Sequence, residues 1–220
     1  MRKLIHYIKT VLFPPKCILC RSLLGPEETD LCRRCRAETD GYPQGKLKLQ
    51  FVDRVAAVWY YKGNVRRSLH RFKFRQGRFL AEPYGKLMAM KALREDLAEA
   101  ELVTWVPISP IRKLIRGYDQ DELLARVIAR ELELPCVQLL KKVRHNRPQS
   151  GISGYARRRA NVLGVYRAEN PERICGKRIL LVDDILTTGA TVSECARVLL
   201  TAGAEEVNCA VVASAHHNNP

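Results

Sequence analysis

This 220-residue chain lacks both a long apolar run and the pattern of a secretory signal. No apolar run reaches the roughly 18 residues of a transmembrane helix, so we expect no membrane span. Residues 1–17 mix apolar, polar and basic side chains, and Pro14 and Pro15 stand where a secretory signal would carry small residues. We therefore expect a cytoplasmic protein, in which the eight cysteines do not form a disulfide framework.

Acidic residues are scarce as well. The chain has 23 Asp and Glu against 38 Lys and Arg, which gives a net charge of +15. Such an excess favours a polyanionic partner, either nucleic acid or a phosphorylated ligand, over a merely solvated basic surface. The hydrophobic fraction of 46% and the charged fraction of 28% are typical of a globular protein, and the counts of 13 Gly and 11 Pro exclude collagen-like or low-complexity sequence.

Four of the cysteines form two C-x2-C pairs close together in the chain: Cys17, Cys20, Cys32 and Cys35. Each pair places two sulfurs on one side of a tight turn, and two such turns supply four thiolates for tetrahedral Zn²⁺. A pair of redox dithiols and an iron–sulfur cluster are the alternatives. The spacing predicts a closed, structural zinc site in a small N-terminal module, residues 1–50, which the metal holds folded.

The rest of the chain, residues 51–220, alternates between predicted strands and helices. Apolar runs predict strands, and segments with apolar residues at helical spacing predict helices between them. This alternation predicts βαβ units and a mostly parallel sheet. The predicted strands are 55–61, 102–106, 179–182 and 207–212, and the predicted helices are 82–100, 119–134 and 190–202.

The most specific stretch joins a buried strand, two carboxylates and a threonine-rich turn that begins a helix. Backbone N–H groups at a helix N-terminus bind anions, and the hydroxyls of Thr187, Thr188 and Thr191 add further donors. Asp183 and Asp184 suit sugar hydroxyls or a Mg²⁺ ion nearby. Because ligands of open α/β sheets bind at the carboxyl ends of strands, the pattern predicts a ribose 5-phosphate site. The alternative is a capped helix beside two solvated carboxylates.

This stretch resembles the binding signature of type I phosphoribosyltransferases, which use 5-phosphoribosyl-1-pyrophosphate (PRPP). The resemblance implies that Asp183 and Asp184 form the catalytic acid pair at the ribose hydroxyls, with Mg²⁺ neutralising the pyrophosphate. It also implies that the 5-phosphate is bound by a five-residue loop: Thr187, Thr188, Gly189, Ala190 and Thr191.

The order of motifs along the chain is similar to one branch of that family. The four-cysteine module is followed by Val106-Pro107, by Arg-Gly-Tyr-Asp-Gln at 116–120, by an arginine-rich stretch and by the threonine-rich loop. This order resembles the ComF/ComFC (GntX-like) family, and the resemblance spans nearly all of the chain. It implies a role in DNA uptake during natural transformation. Asp119 departs from the family pattern, in which we expect asparagine.

Two basic stretches are candidates for parts of the PRPP site, one of them at the pyrophosphate end. Arginine binds such oxygens in bidentate fashion. By position in the family, the segment after the strand at 102–106 contacts pyrophosphate, which points to Arg112, Lys113 and Arg116. A second stretch, residues 141–154, is interpreted either as a mobile hood over the site or as a fixed basic strand pair.

A third basic stretch, residues 62–78, interleaves cations with Phe72 and Phe74. Cations that follow a backbone, with aromatic rings for stacking, are typical of single-stranded DNA binding. The candidate contacts are Arg66, Arg67, Arg71 and Lys73. The alternative is a solvated helix face with both phenylalanines in the core.

Two functions are open at this stage. One is an enzyme that cleaves the C1–pyrophosphate bond of PRPP and transfers ribose 5-phosphate to an acceptor that the sequence does not identify. The other is a PRPP-binding accessory protein that binds single-stranded DNA or other competence proteins without turnover. Consumption of PRPP with a nucleobase favours the first function, and salt-sensitive DNA binding without turnover favours the second.

Overall fold

The computed structural model describes residues 14–45, 47–74, 77–144 and 161–215. Its strands are β1 (Val55–Tyr60), β2 (Leu102–Trp105), β3 (Leu140–Lys142), β4 (Tyr166–Ala168), β5 (Arg178–Leu186) and β6 (Glu206–Ser214). Strands β1, β6, β5 and β2 form a sheet in that order, with every neighbouring pair parallel. Strands β3 and β4 form a separate antiparallel pair. The predicted, mostly parallel α/β fold is confirmed.

The helices cover both faces of this sheet. They are α1 (Arg33–Glu38), α2 (Gly63–Phe74), α3 (Ala81–Arg94), α4 (Pro110–Arg116), α5 (Gln120–Glu131) and α6 (Ala190–Thr201). Helices α2, α3 and α5 pack on one face, and α6 packs on the other with the β3–β4 pair. Side chains of a strand alternate between two faces, so neighbouring residues such as Ile179 and Leu180 enter different cores. Within the described residues, no helix is long and apolar enough to cross a membrane.

The cysteine-rich segment packs directly against the α/β part of the chain. Ile18 and Leu19, which lie between the first two cysteines, are buried in the same core as Leu69 and Phe72 of α2. Two units that are separate in sequence therefore share one hydrophobic core. Loosening the first unit would expose apolar surface of the second.

Strand β5 is longer than the sequence pattern predicts. The prediction ended it at Val182, with the acid pair directly after its C-terminal end, but the strand continues to Leu186. Its pairing with β2 stops at Val182, whereas its pairing with β6 continues to Leu186 opposite Ser214. Because β6 supplies backbone partners beyond the end of β2, Asp183 and Asp184 lie in the strand itself.

Two other predicted segments also differ in extent. The helix predicted at 82–100 ends at Arg94, and Asp96 then adopts a left-handed conformation with φ of 56°. In the basic stretch at 141–154, Lys141 and Lys142 lie in the β3–β4 pair, as the strand-pair interpretation expects. Residues 145–160 lie outside the described residues, so the hood interpretation stays a prediction.

Candidate functional site

The four cysteines meet in a compact cluster. Their sulfur atoms all lie within 4.8 Å of one another, and Sγ of Cys20 is 3.6 Å from Sγ of Cys32. Four thiolates at 2.3 Å from Zn²⁺ would be about 3.8 Å apart, so the side chains fit a tetrahedral site. Both halves are shaped locally. Arg21 closes the first turn at a φ of 70°, and Cys32 caps α1 by accepting from the backbone N–H of Cys35.

Side chains of helix α2 donate hydrogen bonds to the cysteine cluster and to the backbone beside it. Asn64 donates its side-chain amide to Sγ of Cys35 at 3.6 Å. One turn further on, the Ser68 hydroxyl donates to the carbonyl of Ile18. The Arg71 guanidinium donates to the same carbonyl at 2.9 Å and to that of Leu19 at 2.8 Å. Contacts of this kind orient metal ligands and hold the ribbon on the helix.

The threonine-rich loop forms the turn between β5 and α6. Gly189 precedes the helix with a φ of 74°, a conformation that side chains rarely adopt. A Cβ atom at this position would also lie 2.3 Å from Cδ2 of Leu49, which packs over the turn. The five predicted phosphate-binding residues line a shallow concavity together with Asp183: Thr187, Thr188, Gly189, Ala190 and Thr191.

A third carboxylate joins the acid pair. Asp121, in the first turn of α5, places a carboxylate oxygen within 4.8 Å of oxygens of Asp183 and Asp184. Asp121 was not predicted as a site residue, because nothing in the sequence spacing shows that α5 and β5 meet. Asp119, the departure from the family pattern, caps α5. Its oxygens accept from the backbone N–H groups of Ile108, Asp121 and Glu122 at 3.1–3.3 Å.

Lys73 is the cation of this cluster. Its Nζ lies 2.9 Å from Oδ1 of Asp184. Burial alone would lower the pKa of Lys73, but the carboxylates around it raise that pKa above the usual value. Burial raises the pKa of Asp121 well above its ordinary range, and the charges of Asp184 and Asp183 add to the effect. Burial and Asp184 raise the pKa of Asp183 in the same way.

Two buried oxygens in the cluster have no partner among the described residues. Oδ1 of Asp121 and Oδ2 of Asp184 accept no hydrogen bond from any residue that the structure describes. The other oxygen of Asp121 accepts from Gln120 at 3.0 Å, and the other oxygen of Asp184 contacts Lys73. Unpartnered carboxylate oxygens in a buried acidic cluster fit a hard divalent cation such as Mg²⁺.

The three predicted pyrophosphate residues all lie on α4 but have different surroundings. Lys113 pairs with Glu122 at 3.0 Å, and Arg116 donates to Oε1 of Gln120 at 2.8 Å. Arg112 is half-buried on the same helix. It is close enough to Lys142 to affect the pKa of that lysine.

Lys142 was not selected as a site residue from the sequence. Its Nζ lies 5.3 Å from the ring centroid of Tyr166 on the neighbouring strand. Burial, together with the nearby guanidinium of Arg112, lowers the pKa of Lys142 to about 8. The charge of Asp183 is near enough to oppose that shift. Arg112 and Lys142 therefore form a pair of cations beside the acid cluster.

The predicted DNA contacts divide between two sides of α2. Arg66 and Arg67 are exposed, whereas Arg71 and Lys73 contact groups inside the protein. Phe72 is buried, as the core alternative predicts, but Phe74 is 59% exposed. The ring of Phe74 lies 5.0 Å from the guanidinium carbon of Arg116 and 4.9 Å from the ring of His70.

The geometry agrees with comparisons to known proteins. A model of the double zinc ribbon domain matches residues 8–45, and a model of the phosphoribosyl transferase domain matches residues 122–219. The first match and the four clustered cysteines support a structural zinc ion. Fold and site thus define an α/β protein of the phosphoribosyltransferase type with an N-terminal zinc ribbon.

Relatives that match most of the chain identify the family within this class. The DNA utilization protein YhgH of Salmonella typhimurium is 30% identical, and the match covers 88% of this chain and 94% of the relative. Competence protein F of Haemophilus influenzae is 28% identical over 87% of this chain and 93% of its own length. Competence protein ComFC of Bacillus subtilis is 27% identical over 85% and 78%. The chain belongs to the ComF/ComFC family.

Proposed function

We propose that this protein binds PRPP with Mg²⁺ at the carboxyl end of β5 and acts in DNA uptake or utilisation. The observation that carries the proposal is the threonine-rich loop at the start of α6, beside Asp183. Backbone N–H groups and hydroxyls there suit a phosphate, and the adjacent carboxylate suits the hydroxyls of a ribose. The printed names of the relatives, which refer to competence and DNA utilization, support the biological role.

The chain's own side chains account for both ends of PRPP. The five loop residues would bind the 5-phosphate, while Asp183, which is partly buried, would accept hydrogen bonds from ribose hydroxyls. Asp183 and Asp184 would also hold Mg²⁺, which supplies charge neutralisation for the pyrophosphate. Arg112 and Lys142 would bind pyrophosphate oxygens. Lys113 and Arg116 would do so only after leaving Glu122 and Gln120.

Calorimetry with PRPP and with ribose 5-phosphate tests this proposal. Thr188→Val removes one phosphate donor and should weaken both ligands by about 1–3 kcal/mol. Thr201→Val is the matched control, because that hydroxyl donates to Arg197 at the other end of α6. Asp184→Asn should weaken PRPP more than ribose 5-phosphate, since it removes charge at the Mg²⁺ site. If the wild-type protein binds neither ligand at millimolar concentration with Mg²⁺, the proposal is wrong.

The proposal contains two candidate functions. The protein either consumes PRPP as a transferase or only binds it as an accessory protein. The transferase candidate predicts release of pyrophosphate when PRPP is incubated with a suitable nucleobase. The accessory candidate is favoured by the exposed ring of Phe74 beside Arg116, since an aromatic ring flanked by a cation can stack a base. A screen of nucleobases, with and without single-stranded DNA, distinguishes the two.

DNA binding has its own test. For single strands, log affinity falls with log salt at a slope of about −0.7 per phosphate contact. Arg66→Gln combined with Arg67→Gln should flatten that slope, because both arginines are exposed. Lys86→Gln combined with Arg94→Gln on α3 removes the same charge elsewhere and should leave the slope less affected. Equal slopes for wild type and the α2 variant would exclude this surface.

A further inference from the structure

We infer that Asp121, Asp183 and Asp184 form a divalent-cation site that the chain builds by itself, before any phosphoribosyl ligand binds. One carboxylate oxygen from each residue lies within 4.8 Å of the others. Oxygen ligands at 2.0–2.6 Å from Mg²⁺ or Ca²⁺ are themselves about 3–5 Å apart. The three side chains therefore already have the spacing of part of a coordination shell.

The strongest support comes from the two unpartnered oxygens. Asp121 and Asp184 are each only 2% exposed. Oδ1 of the first and Oδ2 of the second accept no hydrogen bond within the described part of the chain. A buried carboxylate oxygen without a donor is unfavourable, and a directly bound cation removes that penalty.

Charge balance points to a divalent ion. With all three carboxylates ionised, as direct binding of a cation requires, the cluster and the ammonium of Lys73 carry a net charge of −2. Lys73 occupies only Oδ1 of Asp184 and leaves its second oxygen available. An all-oxygen ligand set selects hard cations such as Mg²⁺, Ca²⁺ or Mn²⁺ over zinc.

Asp121 is held in place for this role. Gln120 donates its side-chain amide to Oδ2 of Asp121 at 3.0 Å. Arg116 in turn donates to the side-chain oxygen Oε1 of Gln120 at 2.8 Å. This chain of contacts fixes one oxygen of Asp121 and leaves the other for a ligand. The inference rests on the cluster alone and does not depend on PRPP binding.

Titration with Mn²⁺ alone tests the inference, using electron paramagnetic resonance of the free ion and the full-length, zinc-loaded protein without PRPP. We expect one bound Mn²⁺ per chain in addition to zinc, displaced by excess Mg²⁺. Asp121→Asn should weaken Mn²⁺ at least tenfold. Glu122→Gln is the matched control, because Glu122 is the next acid in the chain but faces Lys113 and Arg126. It should change Mn²⁺ affinity less than twofold.

A second variant provides an independent readout of the same site. Lys73→Met removes the competing ammonium, so it should bind Mn²⁺ at least as tightly as wild type. Mn²⁺ should also raise its melting temperature more than that of wild type. Absence of Mn²⁺ binding in the wild-type protein, or equal affinity in wild type and Asp121→Asn, would overturn the inference. A protein that binds Mn²⁺ but not PRPP would sustain it while contradicting the proposed function.

Discussion

The molecule contains two clusters of identical side chains: the four cysteines of the zinc ribbon and the three aspartates beside the threonine-rich loop. In each cluster the sulfur or carboxylate oxygen atoms lie within 4.8 Å of one another. The cysteines come from two short turns that are close together in the chain. The aspartates come from α5 and β5, which meet only when the sheet is covered by its helices. One cluster is thus made by local backbone geometry and the other by tertiary packing, and their sensitivity to mutation should differ accordingly.

Helix α2 connects the two clusters. Asn64 in its first turn donates to Sγ of Cys35, and Lys73 near its last residue pairs with Asp184. Its 12 residues span about 18 Å. Between these ends, Arg71 donates to two carbonyls of the ribbon. A change at one cluster can therefore alter the other through a single rigid element, and variants of Cys32, Lys73 and Arg71 examine that helix and its two ends.

The largest effect is expected from Cys32→Ser. Structural zinc contributes about 10–16 kcal/mol of apparent binding free energy in zinc-finger peptides. We expect loss of the ion and exposure of the core around Ile18 and Leu19, with faster amide exchange in α2, while the central sheet stays folded. Metal analysis and hydrogen exchange measure both outcomes. Cys175→Ser, at an exposed cysteine outside the ribbon, is the control. Unchanged zinc content in Cys32→Ser would reject the ligand assignment.

The second-largest effect, a loss of folding stability, is expected from Lys73→Met. It leaves the buried carboxylate of Asp184 without its cation, and breaking a buried pair costs about 3–5 kcal/mol. Denaturant unfolding without divalent metal measures this loss. Lys62→Met breaks the exposed pair with Asp40 and should cost at most about 1 kcal/mol. Equal losses in the two variants would mean that the Lys73 pair behaves as a surface contact.

Arg71→Met tests the connection between α2 and the ribbon. It removes the hydrogen bonds to the carbonyls of Ile18 and Leu19 while keeping much of the apolar stem. We expect a loss of about 1–3 kcal/mol and faster removal of zinc by a chelator. Arg66→Met, on the exposed side of the helix, should release zinc at the wild-type rate. Identical rates in the two variants would show that Arg71 does not hold the ribbon.

The smallest effect concerns the pH dependence of PRPP binding. The pKa of Lys142 is lowered to about 8, so the free protein loses this positive charge as the pH rises through that value. Pyrophosphate favours the charged form, so binding takes up a proton and PRPP affinity should fall by about tenfold from pH 7 to pH 9. Ribose 5-phosphate affinity should change little over this range.

Lys142→Arg provides the control for that titration. Arginine stays charged throughout, so the affinity of this variant for PRPP should be nearly constant from pH 7 to pH 9. A wild-type affinity that is equally constant would remove Lys142 from the pyrophosphate site.

The contrast between the clusters also explains what could be predicted from the sequence. The cysteine cluster and the threonine-rich loop are contiguous patterns, so residue type and spacing were sufficient. The end of β5 was misplaced because it depends on continued pairing with β6. Asp121 and Lys73 were not recognised as part of one site, because their meeting depends on how α5 and α2 pack over the sheet. No local pattern encodes that packing.

Anomalous diffraction tests the central claim of two chemically distinct metal sites most directly. Crystals grown with Mn²⁺ and without PRPP, measured at the zinc and manganese edges, should show two separate peaks. The zinc peak should lie among the sulfurs of the four cysteines, and the manganese peak among the oxygens of Asp121, Asp183 and Asp184. A manganese peak that lies elsewhere, or that is present only when PRPP is added, would contradict the account.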